Sequence, residues 1–427
     1  MSKAAFQRLP GFRDFVPEDL ALRSHIFDAW RRVSRRYGFR EYDGPPLEPL
    51  ELYVEKSGEE IVGQLYAFTD RGGREVALRP EMTPSLARIL GERSRGLAKP
   101  IRWFSIPQLF RYERQQKGRL REHFQWNVDI VGEDDVAADA EVLAVAIDGL
   151  RALGLTAADV RARVSDRRLL SAVLGALGVP AEGLPATYAV VDKLEREPRE
   201  RSLERLQNEA GLDAGRAREV LALFETPGLE GVRERFGERD EVGAELARLD
   251  TYQGHLEAMG LGDFMTFDLT IVRGLAYYTG IVFELFDRSG EFRAICGGGR
   301  YDRLLELVGG EPLPAVGFGM GDVVLGELLR ARDLLPDAAP SVDRFIVPIG
   351  PEQRALALRI GHAERERGRS VLYALREQGV GKQFKAAASA GAREVVVLGP
   401  EEVARGVAVV RDMASGEERE VSLEELT

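Results

Sequence analysis

Between Ala21 and Tyr37 the apolar residues Leu22, Ile26, Phe27, Trp30, Val33 and Tyr37 recur at three- and four-residue steps. That spacing lines one face of a helix, and Gly38 ends it. Phe39–Pro46 predicts a short strand closed by Pro45-Pro46. Leu65-Tyr-Ala-Phe68 and Glu75–Leu78 flank the turn Asp70-Arg-Gly-Gly73 as a hairpin. Behind it, Pro84 marks a helix start, with Thr83 as its expected cap. Strands are expected at Arg102–Ile106, Leu109–Arg114 and His123–Val131, the last two joined by a basic loop. A helix at 137–153 and a strand at Val160–Val164 follow. Residues 166–250 are rich in Leu, Glu and Arg with helical periodicity throughout. Ile281–Phe286 and Ala294–Asp302 flank Ser289-Gly290 as a second hairpin, and a further helix runs to Arg332.

After the linker Leu334–Pro340 the pattern changes. Phe345–Ile349, Ser370–Ala374 and Glu394–Leu398 read as strands, with helices at Glu352–Arg367 and Gly381–Ala390 between them. This alternation predicts a small α/β domain with a largely parallel sheet, finished by a hairpin at Val407–Asp412 and Glu420–Leu423. Length agrees with several domains, since 427 residues exceed what one core serves.

Composition narrows the class. The balance of 44% hydrophobic and 30% charged residues is that of a globular protein. No apolar run reaches membrane-spanning length, and the first residues show no signal segment, so the cytoplasm is the expected compartment. A single cysteine, Cys296, excludes an internal disulfide and a Cys-based zinc site. The net charge of −11 argues against a general nucleic-acid binder. Charge is uneven, however: Arg102–His123 and 344–393 are basic, whereas 394–427 is acidic. Such patches suit a partner held at chosen places. No phosphate-binding P-loop exists, because Gly379-Val-Gly-Lys-Gln has the wrong spacing and no Ser/Thr after Lys382. Gly317-Phe-Gly-Met-Gly-Asp322 fails the dinucleotide fingerprint at its sixth position.

The densest chemistry lies in Arg273-Gly-Leu-Ala-Tyr-Tyr-Thr-Gly280 and Ala294-Ile-Cys-Gly-Gly-Gly-Arg-Tyr-Asp302. An arginine, three tyrosines and a glycine run that leaves room for a ligand converge on one hairpin. Core packing and a plain turn are the ordinary alternatives. The order and spacing resemble the histidine-binding signature of histidyl-tRNA synthetases, a class II family. The resemblance extends over nearly the whole chain. The helix, strand and proline around residues 21–46 resemble motif 1, which builds the dimer interface. Phe110-Arg-Tyr-Glu-Arg114, the basic loop and Arg121-Glu-His-Phe-Gln125 resemble motif 2. The C-terminal segment resembles the anticodon-binding domain of this group.

The resemblance implies an α+β class II catalytic domain, an antiparallel sheet flanked by helices, in two parts (1–165 and 251–332). A helical insertion (166–250) that contacts the tRNA acceptor arm, a linker (333–342) and an α/β anticodon-binding domain (343–427) complete it. It implies a homodimer that activates L-histidine with ATP and Mg²⁺ and charges tRNA(His). By carry-over, Arg111 and Arg273 are the catalytic cations at the α-phosphate and carboxylate. Glu113 and Arg119 join them around ATP. Glu81, Thr83 and Gln125 surround the amino group; Asp129 and Tyr278 hold the imidazole; Tyr277 and Tyr301 complete the pocket. Gln116 and Arg121 are carried over as tRNA contacts. No magnesium ligand is assigned. The chain departs from the family twice. Ala276 replaces an aspartate, and Val324 stands where the motif 3 arginine over ATP would fall, so that clamp is missing or supplied by another residue. A synthetase-like, histidine-binding regulatory subunit of ATP phosphoribosyltransferase is the competing reading, and a paralogue that charges something other than tRNA is a third.

Overall fold

The computed structural model describes residues 6–54, 63–113, 120–194, 197–225, 228–272, 278–303, 306, 312–336 and 341–427. The chain folds as two units, Met1–Pro336 and Asp337–Thr427. Strands of the first unit are β1 (Arg40–Glu41), β2 (Leu47–Pro49), β3 (Tyr66–Thr69), β4 (Glu75–Leu78), β5 (Ile101–Ser105), β6 (Gln108–Phe110), β7 (Glu122–Val131), β8 (Val160–Asp166), β9 (Met265–Phe267), β10 (Ile281–Asp287), β11 (Cys296–Arg300) and β12 (Ala315–Gly321). The main sheet runs β1-β5-β7-β12-β11-β10-β8-β9, with β6 paired to β7, and β2-β4-β3 form a small sheet. In the main sheet all pairings are antiparallel except β1 with β5 and β8 with β9.

The two faces of the main sheet differ because side chains alternate along each strand. On one face Trp126, Val128 and Ile130 of β7 and Phe318 and Met320 of β12 are buried in the largest apolar core. The helices Pro17–Arg36 and Val136–Arg151 cover that face, their Trp30 and Ile147 buried in the same core. Trp30 stacks on Trp126 at 5.7 Å between ring centroids, and Phe318 meets Trp126 edge-on at 5.0 Å. Gly149 fits the crossing, since a Cβ there would lie 2.4 Å from the Trp126 ring. The opposite face carries Gln125, Asn127 and Asp129 of β7, opposite Gly321, Gly319 and Gly317 of β12. Gly297 and Gly299 of β11 extend the same row.

Three expected elements differ. The Phe39–Pro46 strand shrinks to β1, because Pro45 and Pro46 have no N–H for a ladder. The Arg79 side chain serves that segment instead, donating to Gly44 O at 2.7 Å and Asp43 at 2.8 Å. The helices after β8 begin at Arg167, and the last, Asp240–Ala258, passes the expected boundary at 250. Its apolar positions Leu246, Leu249, Tyr252 and Leu256 keep helical spacing, and all share the core of the sheet. Thr83 is the first residue of the Thr83–Arg93 helix; Met82 holds the cap position, and no side chain caps that end.

The second unit has β13 (Val342–Pro348), β14 (Val371–Tyr373), β15 (Ala392–Leu398), β16 (Val407–Asp412) and β17 (Glu418–Ser422), ordered β14-β13-β15-β16-β17. β13 pairs with β14 and β15 in parallel, across the helices Arg354–Glu366 and Val380–Ser389. β16 and β17 pair antiparallel, so the sheet is mixed rather than largely parallel. The short turn after Asp412, whose carboxylate accepts from Ala414 N and Ser415 N, permits only an antiparallel return.

Candidate active site

The glycines of β12 make the site possible. A Cβ on Gly317 would lie 2.2 Å from Asp129 Oδ1, and one on Gly319 would lie 2.7 Å from the Gln125 amide carbon. Bare backbone at these positions leaves Asp129 and Gln125 room to lie over the sheet. The Gly297–Gly299 run is more divided than expected. Gly298 faces the helix-covered side, where a Cβ would be 2.5 Å from Gly317 O. On Gly299 a Cβ would come within 3.0 Å of the Tyr278 ring. Gly297 alone of the three lines the cavity described below.

Asp129 is the electrostatic centre. It accepts a short hydrogen bond from the Tyr301 hydroxyl. Burial pushes its carboxyl up to about 7, with the Tyr301 bond pulling the other way. Tyr42 lies close enough for Asp129's charge to reinforce the effect of burial, which holds its hydroxyl well above the usual value. Tyr278 and Tyr301 are 7% and 3% exposed and share a small apolar cluster with Leu86, Leu90 and Val282, with Trp103 packed beside it. The two tyrosines are thus packed as core. Arg300, between Gly299 and Tyr301, points to the other face, where its guanidinium binds Asp139 and Glu133 O. Asp302 accepts from Thr279 and Arg300. These two anchors fix the strand on either side of Tyr301.

A cavity of about 230 Å³ lies beside Gln125, which shares a strand face with Asn127 and Asp129. Arg111, Glu113, His123, Arg293, Gly297 and Val324 are among its lining residues. Arg111 follows β6, and its Nε donates to Pro80 O at 2.9 Å. This places the motif 2 arginine against the Arg79-Pro-Glu81 turn, where Glu81 is 6% exposed. Burial drives the His123 imidazole down to about 3, and the charges of Arg111 and Arg13 add to it. His123 is thus neutral, and the cavity's positive charge belongs to arginines.

The family profile of histidyl-tRNA synthetase matches residues 11–321, and that of the anticodon binding domain matches 343–427. The chain belongs to the histidyl-tRNA synthetase family. It is 45% identical over 425 residues to the histidine–tRNA ligase of Opitutus terrae, covering 99% of this chain and 97% of that one. With the chloroplastic/mitochondrial histidine–tRNA ligase of Arabidopsis thaliana it shares 41% over 419 residues, 97% and 85% of the two chains. The crystal structure of histidyl-tRNA synthetase from Nostoc sp. PCC 7120 superposes with a TM-score of 0.82 at 25% identity over 99% of both chains.

Within the family's motifs the structure brings Gln125, Asp129, Tyr278 and Tyr301 to one face of the sheet, with Arg111 and Glu113 at its edge. Thr83 lies half-buried two residues after Glu81. Arg121 stacks over Tyr112 at 4.1 Å and donates to Glu113 O at 3.4 Å. Arg273, Tyr277, Arg119, Gln116 and Ala276 lie outside the described residues. Among the described residues no helix is long and apolar enough to cross a membrane.

Sequence reasoning missed one buried network. Arg13, in the lead-in before the first helix, donates to Glu122 at 2.6 Å and to Asp322 at 2.8 Å. Asp322 also accepts from Phe124 N at 2.9 Å. Arg13 thereby joins motif 2 to the start of the motif 3 helix. Asp322, met in the sequence only as the residue that breaks the dinucleotide fingerprint, is the signal: it is the partner of Arg13. Gly11 supports the same clamp, with φ +87° and its carbonyl accepting from Arg121 N.

Proposed function

We propose that this chain activates L-histidine with ATP to histidyl-adenylate and transfers the histidyl group to the 3′ end of tRNA(His). The observation that carries the reading is the buried Asp129–Tyr301 pair beside an arginine-lined cavity. An imidazole N–H needs an acceptor in an otherwise apolar wall, and Asp129 supplies it. Glu81 is the carboxylate suited to the substrate's ammonium. In the first step the histidine carboxylate oxygen bonds to the α-phosphorus of ATP while the bond to the bridging oxygen breaks and pyrophosphate leaves. No protein nucleophile is needed, so catalysis is orientation and charge stabilisation. Arg111 and Arg273 are proposed for that charge, Arg119 and Glu113 for the rest of the nucleotide. Mg²⁺, for which no ligand residue is assigned, would neutralise further phosphate charge. In the second step a ribose hydroxyl of the tRNA attacks the histidyl carbonyl and AMP leaves.

The second unit presents a cavity of about 420 Å³ between the carboxyl ends of β13 and β14, lined by Arg354, Arg376 and Gln383. Its match to anticodon-binding domains supports a role in holding the tRNA. Gln116 and Arg121 are proposed contacts for the acceptor end, the enzyme is proposed to act as a homodimer, and its place is the cytoplasm. Val324 favours a histidine-binding regulatory subunit as second reading, but such a subunit needs neither Arg111 nor the C-terminal domain. Histidine-dependent ATP–pyrophosphate exchange, with Arg273→Ala as control, tests the proposal. Exchange with histidine alone, lost in the control, supports it; histidine binding without exchange would overturn it in favour of the regulatory subunit.

A further inference from the structure

Val324 leaves the nucleotide cavity short of one positive charge, and the structure offers a replacement. Val324 packs against the main core and shows its remaining surface to the cavity. An apolar side chain there cannot bind a phosphate oxygen. Among the described residues that line the cavity, Arg111 and Arg293 are the cations, since His123 is neutral. They arrive from different parts of the chain, Arg111 after β6 and Arg293 from the connection between β10 and β11. The cavity floor between them includes Gly297, Gly319 and Gly321, which leaves a long ligand free to lie on backbone. Arg293 is exposed, so its side chain meets the cavity from the solvent side and not from the core. Ile295, two residues on, is buried and fixes the root of the segment, its N–H bonded to Leu285 O at 2.8 Å.

We propose that Arg293 is a nucleotide-binding residue that supplies the charge Val324 lacks, by binding the phosphate tail of ATP. The inference rests on the functional reading above and deepens it. The planar, permanently charged guanidinium suits a phosphate held by two parallel hydrogen bonds. Because it comes from a turn rather than a helix, this arrangement moves the clamp from the motif 3 helix to the hairpin that also carries Tyr301.

The test is calorimetric titration of the full-length protein with ATP, and separately with histidine. The chains compared are the wild type, Arg293→Ala, and Arg293→Ala combined with Val324→Arg. Arg293→Ala is expected to weaken ATP binding by about tenfold or more, with histidine binding within about twofold of wild type and so a folded site. The double variant is expected to recover most of the lost ATP affinity, because it returns a cation to the same cavity. ATP affinity within about twofold of wild type in Arg293→Ala would overturn the proposal. So would an equal loss of both ligands, or a double variant no better than the single one. Pyrophosphate exchange by the wild type, run in parallel, reports on the functional reading alone. If it failed while ATP binding still depended on Arg293, the enzyme reading would fall and the nucleotide site would stand.

Discussion

Replacing Asp129 by asparagine separates two roles of one carboxyl group. Folding lifts its pKa from 3.8 to about 7, so the folded chain keeps a proton that the unfolded chain has released. Stability from this group is full below about pH 4 and is lost as pH rises through about 7. Asp129→Asn mimics the protonated form, so it should gain on wild type between about pH 4.5 and 7.5 in paired thermal melts. Parallel curves would show that Asp129 does not titrate there. The same substitution should weaken histidine binding by about tenfold or more, since an amide offers the ring N–H only a neutral acceptor. At Arg13, removal of the side chain strands Glu122 and Asp322, which are 1% and 3% exposed. Arg13→Ala should cost about 3 kcal/mol in chemical denaturation. A loss below 1 kcal/mol, about that of a surface pair, would mean the clamp is not tight. Motif spacing singled out Asp129, Tyr301 and Arg111 as candidates. It could not show Arg13, because its partner Asp322 lies 309 residues away, beyond any local pattern.

At the scale of elements, β12 sets the site by what it omits. Gly317→Ala should displace Asp129 and cost about 1–3 kcal/mol as an overpacked contact, with a loss of histidine affinity read by titration. Gly254, on the exposed side of the Asp240–Ala258 helix, meets nothing within 4 Å. Gly254→Ala should stabilise the chain by about 0.5–1 kcal/mol and leave histidine binding unchanged. Opposite signs at two glycines would separate close approach from simple flexibility. Hairpins and helices were readable because their apolar periods are clear. The meaning of Gly-x-Gly-x-Gly at 317–321 was not, because it depends on which strand lies alongside. Only the register with β7 sets Gly317 against Asp129. Similarly, the prolines that cut β1 short were visible as residues, while the Arg79 side chain that replaces the missing ladder was not.

For the whole molecule, the division at Pro336 makes a prediction about labour. Every described residue proposed for histidine and ATP lies before it. A chain ending at Pro336 should keep histidine-dependent pyrophosphate exchange, while kcat/KM for tRNA charging should fall by about a hundredfold or more, as expected when a large share of a macromolecular contact is lost. Charging at the full rate would show that the second unit has no part in holding tRNA. The two-domain pattern was legible because the alternation of strand and helix changes character after Leu334. The helices after β8 read as an insertion in sequence, yet they share the sheet's core, since one apolar cluster runs from Trp126 to Leu256.

A floor of bare backbone also limits how the site could be re-engineered. Widening a pocket usually begins by trimming a side chain, and Gly297, Gly317 and Gly319 have none to trim. Single substitutions on β11 or β12 can only narrow the space. A variant meant to accept ring-methylated histidine analogues would have to be sought at Asp129, Tyr278 or Tyr301, where every added ångström is taken from the groups proposed to recognise the ring. On the proposed reading, selectivity against bulkier imidazoles would be hard to lose by one mutation.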